Sequence, residues 1–145
     1  MGPALPDNIH KINYLSSELD ALYHQASHKL GMTDSDMRVL YALNDNGDRC
    51  LLADIYKQSG IRKQTVNSAI RKLEKNGILY LGPHKGKTKM VYLTEAGKQY
   101  AADTVVRLRD AETRAFAGWT EEEINTHIRL IAKYVDAFRA EIPTI

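Results

Sequence analysis

Gln64, Thr65, Asn67, Ser68 and Arg71 stand within eight consecutive positions, and together they carry the side-chain chemistry that the base edges of a DNA major groove require. A guanidinium fork matches the acceptors of guanine, a carboxamide matches adenine, and hydroxyls adapt to either. Lys63, Lys72 and Lys75 are interspersed with them, as phosphate contacts would be. A second basic group follows at His84, Lys85, Lys87 and Lys89, inside a stretch punctuated by Gly82, Pro83 and Gly86. Lysines on such a loop suit phosphate contact or approach to a minor groove.

The two groups dominate the charge of the chain. From Arg62 to Lys89 there are eight basic residues against one acid, Glu74, a net +7. The other residues hold twelve basic and seventeen acidic side chains, a net −5. Overall the protein is almost neutral, at +2. Concentration of positive charge in one fifth of the length is the footprint of a polyanion-binding element on an acidic body.

These residues act together only if one helix face presents them. At about 100° per residue, Ile70 and Leu73 fall within about 40° of Val66, while Gln64, Ser68, Arg71 and Lys75 fall within about 40° of the opposite pole. Thr65, Asn67 and Lys72 flank that outer face. A helix over about 63–75 is therefore expected, closed by Asn76-Gly77. It follows a short helix from about Leu51 to Gln58, with Leu52, Ile55 and Tyr56 as core candidates, and the break Ser59-Gly60. Two helices across a short glycine-containing turn, the second one basic, form the helix-turn-helix pattern. Ile78–Leu81 and Met90–Leu93 are short runs rich in aromatic and β-branched residues, so they predict a two-stranded hairpin, or wing, with a basic tip at 82–89.

Around this unit the pattern is helical. After an extended start closed by Pro6, a helix capped by Asp7 or Asn8 is expected to reach Leu30, with Ile12, Leu15, Leu19, Leu22 and Ala26 along one seam. Thr33-Asp34-Ser35-Asp36 suggests a capping box for a second helix that turns Met37, Leu40 and Leu43 inward. Beyond the hairpin, one helix from Thr94-Glu95 to about Ala117 precedes a last helix opened by a second capping box at Thr120–Glu123. That helix carries Ile124, Ile128, Ile131, Val135 and Phe138. Nothing in the same chain is large enough to cover all three outer seams.

The segments Met32–Leu40, Gly60–Asn67, Leu73–Gly77 and Leu93–Gly97 together resemble the MarR family of bacterial transcription regulators. The resemblance implies a mostly helical fold with a winged helix-turn-helix DNA-binding region at 32–96. It also implies a helical dimerisation region formed by 1–31 and 97–145. It further implies a homodimer joined through the first helix and the last two, and a pseudo-palindromic double-stranded DNA operator bound in successive major grooves. Ligand-responsive repression is the expected mode, often with a small phenolic effector. The wing departs from the commonest family pattern, since Lys85 and Lys87 stand where many members have Asp and Arg, and lysine lacks the planar fork of arginine.

Other residues invite other chemistries. His24 and His28, four apart on the first helix, are the only candidate metal pair, and no third ligand is marked. Cys50 lies at the expected start of the third helix, where a thiol pKa can fall, although a half-buried apolar role suits it better. Tyr23, Tyr41 and Tyr100 suit a core more than a ligand cavity. No nucleophile, phosphate-binding loop or carboxylate pair emerges, so no enzyme activity and no cofactor are expected. With one cysteine, no secretory pattern and no long apolar run, the chain is expected to be cytoplasmic and free of membrane association. The alternatives are a winged-helix module that uses its basic face on an acidic protein, and a metal- or redox-sensing regulator of the same fold.

Overall fold

A computed structural model describes residues 4–86 and 88–145. Two compact units make up the chain, Met1–Arg109 and Asp110–Ile145. The first unit contains α1 (Leu5–Lys29), α2 (Asp34–Asp45), β1 (Arg49–Leu51), α3 (Leu52–Ser59), α4 (Lys63–Lys75), β2 (Leu79–Pro83), β3 (Lys89–Leu93) and α5 (Glu95–Asp103). The unit boundary falls within α6 (Val105–Phe116), and α7 (Glu121–Glu141) follows, ending in a 3-10 turn at Ile142–Thr144.

The core of the first unit is where the helical periodicity placed it. Met37, Leu40 and Leu43 of α2, Ile55 of α3 and Val66, Ile70 and Leu73 of α4 are buried. Leu52 and Tyr56 pack on this core while remaining partly exposed. Tyr23, Ala26 and Leu30 from the end of α1 pack against it too, and Ala101, Val105 and Leu108 of α5 and α6 are part of it. The three tyrosines Tyr23, Tyr41 and Tyr100 are among the half-buried residues on its edge. Arg109 fixes the start of α6 to α2. Its guanidinium pairs with Asp45, donates through Nε to the Tyr41 hydroxyl at 2.8 Å and lies 4.8 Å from the Tyr41 ring centre.

Three features differ from the periodicity. Pro6 lies in the first turn of α1, where its missing N–H costs nothing, so the helix starts earlier than the extended start expected at Pro6. The wing is three-stranded, in the order β1-β3-β2, because the short segment at Cys50 pairs antiparallel with Val91. Three residues are too few to show a period of two. Cys50 thus belongs to a strand rather than a helix start. Finally, the helix expected from Thr94 to Ala117 breaks at Thr104, whose hydroxyl turns back onto the Tyr100 carbonyl at 2.7 Å.

The wing is docked on the helix that follows it. Thr94 caps α5 by accepting from Gly97 N–H at 2.9 Å, and its own N–H donates to the Ile78 carbonyl at 3.1 Å. Gly97 lies so close beneath that carbonyl that a Cβ there would stand 1.8 Å from Ile78 O and 3.2 Å from Leu93 Cδ2. No neighbouring backbone can give way by that much. At the other end of the chain, Thr120 and Glu123 complete the expected capping box of α7 in both directions. At the start of α2, by contrast, only half of the expected box is present: Thr33 accepts from Asp36 N–H, but the Asp36 side chain is engaged elsewhere.

Gly97→Ala is expected to destabilise the fold by ~3 kcal/mol or more, at the upper end of overpacking costs. A thermal melt beside wild type checks it, and an unchanged melting temperature would show that the docking of Ile78 on α5 is looser than described.

Candidate nucleic-acid interface

The helix-turn-helix is set by the turn between α3 and α4. Gly60 ends α3 in the left-handed region at φ 70°, a conformation glycine adopts without steric cost. Arg38 of α2 donates to the Ser59 carbonyl at 3.5 Å, tying the turn to the core. Extended Arg62 then opens α4 without a side-chain cap. The helix spans Lys63–Lys75, the range expected from the sequence.

Burial of Val66, Ala69, Ile70 and Leu73 leaves Gln64, Ser68, Arg71 and Lys75 exposed, while Thr65 and Asn67 are half-buried on the flanks. Ser68 donates to the Gln64 carbonyl at 3.1 Å, and Arg71 Nη2 lies 3.4 Å from Ser68 Oγ. A short polar track therefore runs along the outer face. Asn67 differs from its neighbours: its Oδ1 accepts the Tyr56 hydroxyl of α3 at 2.5 Å. The same tyrosine ring lies 5.0 Å from Lys63 Nζ. Nothing in the sequence marked Tyr56 beyond a core position, because the pairing crosses a turn and has no periodicity.

Lys72 also has a specific partner. Its ammonium pairs with the Asp36 carboxylate at 2.8 Å, and that carboxylate is only 9% exposed. The hydrogen bond and charge of Asp36 raise the Lys72 pKa. One of the three ammonium donors thus fastens α4 to α2, and the others face outward. Among the described residues, Lys63, Arg71, Lys75, Lys85 and Lys89 form no ion pair.

The wing carries His84, Lys85 and Lys89 exposed near its tip. That tip is closed by His84 N–H on the Thr88 carbonyl and by Thr88 on the Lys85 carbonyl. Lys87 lies outside the described residues. On the outer face of the sheet Tyr80 and Tyr92 stack with ring centres 5.0 Å apart.

The sensing candidates have structural neighbours instead. His24 Nδ1 lies 2.9 Å from Asp34 Oδ2, and the Ser27 hydroxyl donates to the same carboxylate. The Ser27 bond, then that of His24, holds the Asp34 carboxyl below its ordinary value. His28 is exposed one turn away. Among the described residues there is no group of three or more metal-ligating side chains. Cys50 is 4% exposed within the core, and burial, followed by the charge of Asp54, raises its thiol pKa. That shift is opposite to the activation a helix start would have brought. No described helix is long and apolar enough to cross a membrane.

An exposed basic helix packed by its predecessor and followed by a basic-tipped sheet defines the winged helix-turn-helix class. Residues 30–88 match the model of the MarR family, in agreement with the resemblance seen in the sequence. No curated protein sequence matches the chain. Among solved structures the fold is similar to that of NMB1585, a MarR family regulator from Neisseria meningitidis. The two share 19% identity over 99% of each chain, with a TM-score of 0.79. BpsR of Bordetella bronchiseptica, described as regulated in DNA binding by 6-hydroxynicotinic acid, matches with TM-score 0.65 and 21% identity, over 86% of this chain and 98% of its own. NadR in complex with 4-hydroxyphenylacetate matches with TM-score 0.70 and 17% identity, over 92% and 95%.

Lys72→Ala is expected to lower the melting temperature, because it strands the buried Asp36 carboxylate, whereas Lys75→Ala, on the same helix but unpaired, leaves it unchanged. Equal melting curves for the two variants would mean that the Lys72–Asp36 pair contributes nothing to the fold.

Proposed function

We propose that the protein is a homodimeric, sequence-specific DNA-binding transcriptional regulator, acting as a ligand-responsive repressor. The observation that carries this reading is the separation of faces on α4. Its apolar side is buried, and its exposed side holds arginine, carboxamide and hydroxyl groups with no acidic partner. Gln64, Thr65, Asn67, Ser68 and Arg71 would meet base edges in the major groove. Lys63, Lys72, Lys75, Lys85, Lys87 and Lys89 would hold phosphates. The spacing of the groove fits this use, since a major groove admits one α-helix.

Dimerisation is supported by apolar surface that a single chain leaves open. Ile12, Leu15, Leu19 and Leu22 on α1 are each more than half exposed, and Ile128, Ile131, Val135 and Phe138 on α7 are exposed as well. Faces of this kind bury themselves against another chain. The region formed by 1–31 and 97–145 would supply that contact, and 32–96 the DNA contact. Two copies related by a two-fold axis place their recognition helices about one DNA turn apart, so the operator is a pseudo-palindrome. A small phenolic effector is proposed from the MarR match and from the ligands named for BpsR and NadR.

Selection of bound duplexes from a genomic library, at two salt concentrations, tests the reading. Enrichment of a pseudo-palindrome with half-sites one turn apart is expected. Steeply salt-dependent binding with no enriched sequence would overturn sequence-specific reading, and no binding at low salt would move the basic face to an acidic protein partner. On the enriched duplex, Arg71→Ala is expected to cost ~1–3 kcal/mol and relax selectivity at one position. Equal loss on specific and random duplexes would remove Arg71 from the base-reading set. Lys85→Ala is expected to weaken all sequences alike and to lower the slope of log affinity against log salt by about one, as measured by titration at several salt concentrations.

A further inference from the structure

Asn67 lies at the border between the buried and outer faces of α4, half-buried, about 40° around the helix from Arg71. Its side chain is not free to rotate. Oδ1 accepts the hydroxyl of Tyr56 from α3, so the oxygen is turned towards the protein. Nδ2 has no hydrogen-bond partner among the described residues. Ser59 Oγ is the one buried side-chain polar atom described as lacking a partner, so Nδ2 keeps access to solvent. Turning the amide over would make the Tyr56 oxygen accept an Nδ2–H and leave the half-buried hydroxyl proton without its acceptor.

We propose that Tyr56 is a positioning residue that makes Asn67 present a hydrogen-bond donor alone to the DNA, and thereby sets the base preferred at one operator position. This inference rests on the DNA-reading function proposed above. A freely rotating asparagine favours adenine, because its oxygen accepts from N6–H while its nitrogen donates to N7. With Oδ1 directed at α3, that two-atom edge cannot be offered. The exposed N–H groups match guanine instead, whose N7 and O6 are adjacent acceptors, and they meet a like donor at the amine of cytosine. The Tyr56 ring beside Lys63 Nζ is retained in Tyr56→Phe, so that substitution isolates the hydroxyl.

The test is the base-preference profile of wild type, Tyr56→Phe, Asn67→Ala and Asn67→Asp, each selected against a randomised duplex library after a melt has established that it is folded. Wild type is expected to prefer guanine at one position, and Asn67→Ala to lose that preference there alone. Tyr56→Phe frees Oδ1 and should shift the same position towards adenine by roughly fivefold or more, the ratio one further base contact supplies. Asn67→Asp keeps an acceptor for Tyr56 but offers a second acceptor to the groove, and should turn the position towards cytosine. It gives an independent reading if Tyr56→Phe does not fold. A Tyr56→Phe profile identical to wild type overturns the proposal, as does an adenine preference in wild type that depends on Asn67. An Asn67→Ala profile unchanged at every position removes Asn67 from base reading while leaving the regulator reading intact. Absence of any enriched sequence for wild type overturns both.

Discussion

Burial of Val66, Ala69, Ile70 and Leu73 against the rest of the first unit is the constraint on which the arrangement of functional groups depends. A helix turns by about 100° per residue, so fixing one face also fixes the other. Once those four side chains are inside, Gln64, Ser68 and Arg71 have no place except outside. The hydrophobic contribution, ~1.5–3 kcal/mol for each fully buried large aliphatic side chain, is what holds a row of polar groups in one orientation. Few of those polar groups add stability themselves. Lys72 is the exception, since it gives the buried Asp36 carboxylate its charge partner and fastens α4 to α2.

The wing depends on a second close contact. The Ile78 carbonyl, at the entry to β2, receives Thr94 from the start of α5 and sits over Gly97. The basic tip is thereby carried on a sheet held to the helical body at its base, and β1 adds a third strand that widens that support. A loop of lysines alone would be a solvated loop. Mounted on such a sheet next to α4, it extends the positive surface of one and the same unit.

The first and last parts of the chain follow a different logic. The end of α1 packs into the core through Tyr23, Ala26 and Leu30, but its earlier seam from Ile9 to Leu22 stays exposed. The apolar side chains of α7 are likewise exposed, although that helix has a complete capping box and an internal Tyr134–Phe138 stack. Local rules therefore account for these helices as helices, and their open faces are the surface that the proposed dimer would use. The Ser27–Asp34–His24 cluster at the end of α1 is the polar counterpart of the same junction, and it gives a structural use to a histidine whose spacing had suggested a metal.

Much of this was legible in the sequence because it is written in local periods. The extent of α4, its inward trio Val66, Ile70 and Leu73, the hairpin and the capping box at Thr120 each depend on residues within a few positions of one another, where helix and strand geometry leave little choice. What escaped was either too short to show a period, as with the strand around Cys50, or decided by a single side-chain bond, as with the break at Thr104. The partners of Lys72 and Asn67 were illegible for a deeper reason. Asp36 is far from Lys72 in sequence, and Tyr56 lies on the preceding helix across a turn. The sequence by itself determined which residue types face outward on α4. Only the tertiary structure decided which of them are free and which are held, because hydrogen bonds between elements depend on a packing geometry that no local spacing encodes.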